Sequence, residues 1–321
     1  FNRALTLQHM KLVPQAKEAW RKYLQIDSSS PWAREAERNL QLLEAQEQKG
    51  QNKRTELHDA FVAAYRAKDR EAAWIALKRS RSRAGNFIVE RLLDVYLHQN
   101  LNGNREGAAE TIDMLSFASD VENQHVRDRY TFDVVAFYRR TRPENYSLLW
   151  RARDVVKSAR DKYDESEFAP SIALLAVAQN MFASVGDEGE ALFAESWIGY
   201  NELRIGMLSS RQRFEHLAET YESRGYQSLF AQSLHAVSDA LTLQNEYSEV
   251  LDRASRALRK AEEIEDESTR MRCWQQLLST NLLLRNYSEA FSYGLKGLEA
   301  APDFVTEPKL VWPFYSEIAK G

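Results

Sequence analysis

One cysteine, seven prolines and twelve glycines are few for a chain of 321 residues, and each shortage excludes something. With Cys273 alone, no intrachain disulfide can form, which fits a reducing compartment and sets a cytoplasmic expectation. The sparse Gly and Pro fall at breaks between apolar-periodic segments, so a sandwich or barrel, which needs many turns, is excluded. No apolar run nears the roughly 20 residues that span a bilayer, and no membrane partner is expected. The longest run, from Ile172 to Ala178, is far shorter. A net charge of -4 gives no whole-molecule attraction to nucleic acid or anionic lipid. The six histidines are scattered, without a His-Glu-x-x-His motif, paired Cys-x-x-Cys or a calcium loop. Neither a metal nor a cofactor is therefore expected. Gly186-Asp187-Glu188-Gly189 reads as a turn into a helix capped by Asp187, because it lacks the Lys of a phosphate cradle.

What is present is helical periodicity from end to end, read as about seventeen helices joined mostly as antiparallel hairpins. Residues 2–12 and 13–27 open the chain. Ser30 caps the next helix, with Pro31 at its first position, and the face of Trp32, Ala36, Leu40 and Leu43 covers the opening hairpin. Gly50 and Asn52 are expected to break that helix. This divides the chain into an N-terminal unit, 1–49, and a longer array, 50–321, closed by a helix over 303–320. Within the array the expected pairs are 56–68 with 69–83, 85–100 with 105–121, and 125–140 with 146–164. Residues 168–185 then pair with 188–205, and 210–223 with 226–244.

Near the C-terminal end, Trp274, Leu277, Ala290 and Pro302 stand at offsets of 3, 16 and 28. An aromatic wedges between helices, a small residue lets backbones approach, and a proline stops the second helix. The set resembles the 34-residue tetratricopeptide (TPR) pattern. The resemblance implies an all-α, TPR-like α-solenoid, a right-handed superhelix of antiparallel helix hairpins. Leu258 and Ala261 precede Leu298 and Ala301 by 40 positions, so an extended loop is expected at 262–267.

The opening residues carry a second resemblance. Phe1-Asn2-Arg3-Ala4-Leu5, Ala19-Trp20, Tyr23-Leu24, Asp27 and Ser30-Pro31-Trp32-Ala33, with Glu35-Ala36 and Leu40, look like the TPR region ahead of the protease domain in bacterial CHAT proteins, the caspase-like, TPR-associated proteases. That resemblance covers about the first 45 residues and implies a sensor or regulatory role. It also implies a protease domain that is absent or downstream. No catalytic residue carries over, because no strand series is visible and Cys273 lies inside a helix beside Trp274.

Cys273 and His235 are the one Cys/His pair to weigh as a dyad, yet Cys273 precedes the core Leu277 by a helical turn and is expected to be buried and inert. The acidic run 262–267 reads as a solvated loop. Lys78-Arg79-Ser80-Arg81-Ser82-Arg83, and Arg139, Arg140 and Arg142, read as helix-end cations, with nucleic-acid or acidic-peptide contact as the functional alternative. On the first helix of each pair, the positions facing the groove are Arg272, Gln275, Gln276 and Ser279, preceded one repeat earlier by Gln232, His235 and Asp239. These seven form the candidate partner-binding groove; Trp274, Leu277, Ala290 and Pro302 form the repeat core. The reading is a non-catalytic protein–protein scaffold or sensor whose partner is a protein or peptide, such as a caspase-like protease domain or its substrate. The alternatives are direct participation in a proteolytic enzyme and a nucleic-acid-binding solenoid.

Overall fold

The structure, a computed structural model, describes residues 1–9, 12–304 and 308–318. Among these residues there are sixteen α-helices and one two-stranded hairpin, and sequence neighbours pack as spatial neighbours. The chain is an all-α solenoid.

Helices α1 (Asn2–His9), α2 (Val13–Ile26) and the start of α3 (Pro31–Ala67) enclose a small core of Ala4, Ala16, Trp20, Ala36 and Leu43. The Ser30 hydroxyl accepts the Ala33 amide at 3.2 Å, capping α3 as its sequence dictates. Trp32 stays largely exposed and touches the Phe1 ring edge-on. The expected break at Gly50 does not occur, and α3 runs through it for 37 residues. A Cβ at Gly50 would meet nothing, so the residue costs only the usual ~1 kcal/mol relative to Ala. Strong helix formers on either side absorb that penalty.

The middle of the chain departs most from the expected pairing. Helix α4 (Arg70–Arg79), capped by Asp69 at the Ala72 amide, stops short of Arg83. The chain instead turns through β1 (Arg81–Ser82) and β2 (Gly85–Asn86). Gly85 has φ 93°, and a Cβ there would press on Glu90 and the Phe193 ring, so this tight turn requires glycine. Then follow α5 (Phe87–Leu101), α6 (Arg105–Val126), α7 (Tyr130–Arg140) and α8 (Tyr146–Asp164), which places His125 in α6 and not in α7. Helix α8 packs on α5 and on α9 (Phe168–Ser184), whereas α7 packs on α6 and α10 (Glu188–Arg204). The expected pairing of 125–140 with 146–164 is thus shifted by one helix.

From α9 onward the array is regular. It continues with α11 (Ser209–Arg224), α12 (Gln227–Leu243), α13 (Tyr247–Glu263), α14 (Glu267–Leu283) and α15 (Tyr287–Ala300). Left-handed residues end the helices at 166, 186, 206, 225, 245, 265 and 285, a spacing of 19 or 20. In each case the next amide reaches back five residues, as Asn286 N does to Asn281 O at 2.8 Å. Two such units make a repeat near 40 residues. The turn between α13 and α14 holds three residues, 264–266, so longer helices, not an extended loop, set the period. Trp274, Leu277 and Ala290 are all buried in one core. The α15 backbone ends before Pro302, in a short 3-10 turn; the Pro302 side chain lies outside the described residues, as does Lys320. The closing helix, α16 (Pro308–Ile318), seats Phe314 against Gly297 and Ile318 against Gly294.

Candidate functional site

Helices α10, α12 and α14 touch one another as alternate members of the array and form its inner row. Polar residues at inner positions of such a row would line an open groove. The chain's own hairpin fills that space instead. Arg83 lies over the Tyr200 ring at 4.5 Å and within 3.9 Å of the Asp239 carboxylate. Burial disfavours charge on Arg83, but Tyr200, Tyr163 and Asp239 outweigh it and hold its pKa above the usual value. Arg81 donates to the Ile264 carbonyl at 3.0 Å, pairs with Glu122 at 3.3 Å, and lies over Trp74. A hydroxyl from Thr131 completes the Glu122 site at 2.5 Å.

The expected groove residues are therefore brought together, but largely as a filled interior. Gln232 and His235 are buried, which corrects their expected place on an open surface. His235 lies 3.5 Å from Asp239, and burial pushes its pKa down despite that carboxylate. Arg272, half-buried, lines a narrow crevice with Arg83, Tyr200, Gln232, His235 and Thr269. Gln276 donates to the Thr242 hydroxyl at 2.7 Å, tying α14 to α12. Gln275 and Ser279 are half-buried on the same helix. The hairpin contacts reach across 41 positions from Arg81 to Glu122 and across more than 150 from Arg83 to Asp239, so no local pattern announces them.

A second polar centre was missed from sequence. Arg153 is buried on α8, donating to Asp94 at 2.7 Å and to Glu90 at 3.0 Å, and pairing with Glu190. Glu190 also accepts from the Tyr138 hydroxyl, while Asp187 caps α10 through the Glu190 amide at 3.1 Å. Burial raises the pKa of Glu90 despite Arg153, and raises that of Asp187 well above the carboxylate range, with Glu190 adding to it. This centre bolts α5, α7, α8 and α10 together. A signal did exist: Arg153 continues the buried stripe of Leu149, Ala152 and Val156.

Cys273 is fully buried, and desolvation pushes its thiol well above the ordinary range. Burial also disfavours the imidazolium of His235, so neither partner of the Cys/His pair is activated. The two basic runs are dispersed among separate partners. Lys78 pairs with Glu265 at 2.5 Å, and Arg139 with Asp113 at 2.8 Å. The acidic run is only partly solvated, since Asp266 is a buried cap that accepts the Thr269 amide at 3.0 Å. Between α3, α4 and the start of α14 lies a cavity of about 450 Å³. Lys53, Glu56, Leu57, Arg79, Glu267 and Ser268 are among the residues that line it. Among the described residues no group of three or more His, Cys, Asp or Glu could hold a metal ion, and no helix is long and apolar enough to cross a membrane. The chain matches no protein-family model and no curated protein.

Proposed function

We propose that this chain is a non-catalytic protein-recognition scaffold of the bacterial cytoplasm that regulates an attached or associated caspase-like protease. The observation that carries the scaffold reading is the regular stacking of helices at 20-residue turn spacing, which builds a long surface on a rigid frame. The protease connection rests on the CHAT-like residues between Phe1 and Leu40. Burial of Cys273 and His235 argues against direct participation in proteolysis. Dispersal of Lys78, Arg81 and Arg83 among Glu265, Glu122 and Asp239 argues against a nucleic-acid track, which needs a continuous positive path. The test begins with the coding sequence around this chain, where a domain with His and Cys at strand ends is expected. Calorimetric titration of that domain with the chain should give saturable binding and an altered peptidase rate. No such domain, or no binding at the highest soluble concentration, overturns the protease connection.

A further inference from the structure

Two side chains lean on one oxygen where the hairpin meets the inner row. The Arg83 guanidinium lies 3.9 Å from Asp239 Oδ2, and His235 Nδ1 lies 3.5 Å from the same atom. We propose that His235 is a proton-operated latch on the hairpin. Neutral, it leaves Asp239 to Arg83 and the inner row stays closed; protonated, it takes that carboxylate and the hairpin tip swings out. The latch acts within the chain and does not depend on the protease connection.

Charge decides the exchange. The groups facing His235 are Asp239 on its own helix, Arg83 on the hairpin, and Arg272 with its main chain on α14. Tyr200, Gln232 and Thr269 complete the crevice they share. With neutral imidazole, two cations share one carboxylate there. Protonation puts a third cation beside them on a residue 5 % exposed, where water screens little. Burial, and then the two arginines, push the His235 pKa down, while Asp239 and the Arg272 main chain push it up. Expelling one arginine therefore removes much of the repulsion and leaves an imidazolium–carboxylate pair behind.

Arg83 is the arginine that can leave. Its side chain is 22 % exposed, so a path to water exists. It sits on a hairpin of two residues per strand, whereas Asp239 and Arg272 sit on 17-residue helices. Besides the contacts of Arg83 with Tyr200, Tyr163 and Asp239, the tip is held by the half-buried Ala84 and by Gln232, which donates to the Ser82 carbonyl at 3.5 Å. The base is pinned far more firmly. Arg81 donates to the Ile264 carbonyl at 3.0 Å, and the Asn86 amide donates to the Leu77 carbonyl and to Glu122, both at 3.1 Å. The hairpin thus hinges at Arg81 and Asn86, and its release uncovers Tyr200 and Gln232 in the inner row.

The test is an NMR titration of the full chain over roughly pH 5–8. The His235 imidazole signal and the Gly85 amide should move with one shared midpoint, below the ordinary histidine value of about 6.5. Past that midpoint the Arg83 guanidinium protons should exchange with water about tenfold faster. His235→Gln should abolish the Gly85 transition. Arg83→Gln, which takes away one cation and its cover, should raise the His235 midpoint by about one pH unit, a tenfold gain in proton affinity. His125→Gln is the control, because that ring stacks on Trp74, over which Arg81 also lies. It should leave the Gly85 transition in place. Circular dichroism at neutral pH confirms that each variant folds, and if His235→Gln does not, the midpoint in Arg83→Gln decides. A Gly85 amide that does not follow His235, a transition that persists in His235→Gln or vanishes in His125→Gln, or an unaltered His235 midpoint in Arg83→Gln would overturn the proposal.

Discussion

Helices α12 and α13 are each 17 residues long and adjacent, yet twelve residues of the first are buried and only five of the second. Helix α13 keeps one dry stripe, Val250, Ala254, Ala257, Leu258 and Ala261, and turns the rest outward. Helix α12 is enclosed by α11, α13 and α14, with Arg83 and Ser82 of the hairpin on its remaining side. Its Gln232, Ser233, His235 and Ser238 are therefore buried although nothing in their chemistry demands it. The contrast shows that inner and outer rows obey different rules. The outer row follows its own periodicity, and the inner row is decided by what fills the concavity.

The largest expected effect probes whether the inner row is a true core. Trp274→Ala on α14 should cost about 3–5 kcal/mol in denaturant melts, because the indole is buried in the core that also holds Leu277 and Ala290. Arg253→Ala on α13 should stay within about 0.5 kcal/mol. A loss below about 1 kcal/mol at Trp274 would erase the distinction between rows.

A smaller effect isolates the hairpin. Arg83→Ala removes the cation over Tyr200 and leaves Asp239 without its arginine, costing about 1–3 kcal/mol. Hydrogen exchange should quicken at α12 amides and stay unchanged in α13. Equal acceleration in both helices would mean that the hairpin is not what encloses α12.

Next comes pH. The depressed pKa of His235 means that the folded state favours neutral imidazole, so its contribution is present above the unfolded value and is lost as pH falls through the folded one. The groups facing it are Asp239, Arg83 and Arg272. Below about pH 6.5 the native protein should lose up to about 1.4 kcal/mol per pH unit from this site, and His235→Gln should flatten that slope. An identical acid slope in the variant would show that folding does not disfavour the charged form of His235.

The smallest effect concerns the turns. Arg285 holds φ 63°, where a β-carbon is strained, at the position that Gly206 and Gly225 fill in earlier turns. Arg285→Gly should raise stability by up to about 1 kcal/mol, and a loss instead would show that the arginine side chain contributes more than the strain it imposes.

Much of the fold was legible because its signals are local. Ser30 and Asp69 cap helices, Ala290 and Trp274 mark a hairpin, and the α13 stripe repeats every turn. Even the burial of Cys273 followed from its place one turn before Leu277. The candidate groove was legible only as a set of positions. Gln232, His235, Asp239 and Arg272 do converge, but their environment depends on a hairpin about 150 residues earlier.

The sequence by itself determined that this chain is helical, where most helices begin and end, and that its cysteine packs as an apolar group, because turn chemistry and a 3.6-residue period act between near neighbours. Only the tertiary structure decided the rest. It carried α3 through Gly50, moved α8 from α7 to α5 and α9, drew Arg153 to three carboxylates, and closed the inner row over Arg83. Each of these outcomes depends on which distant side chains desolvate one another. That balance of burial against charge pairing arises only once the helices have stacked.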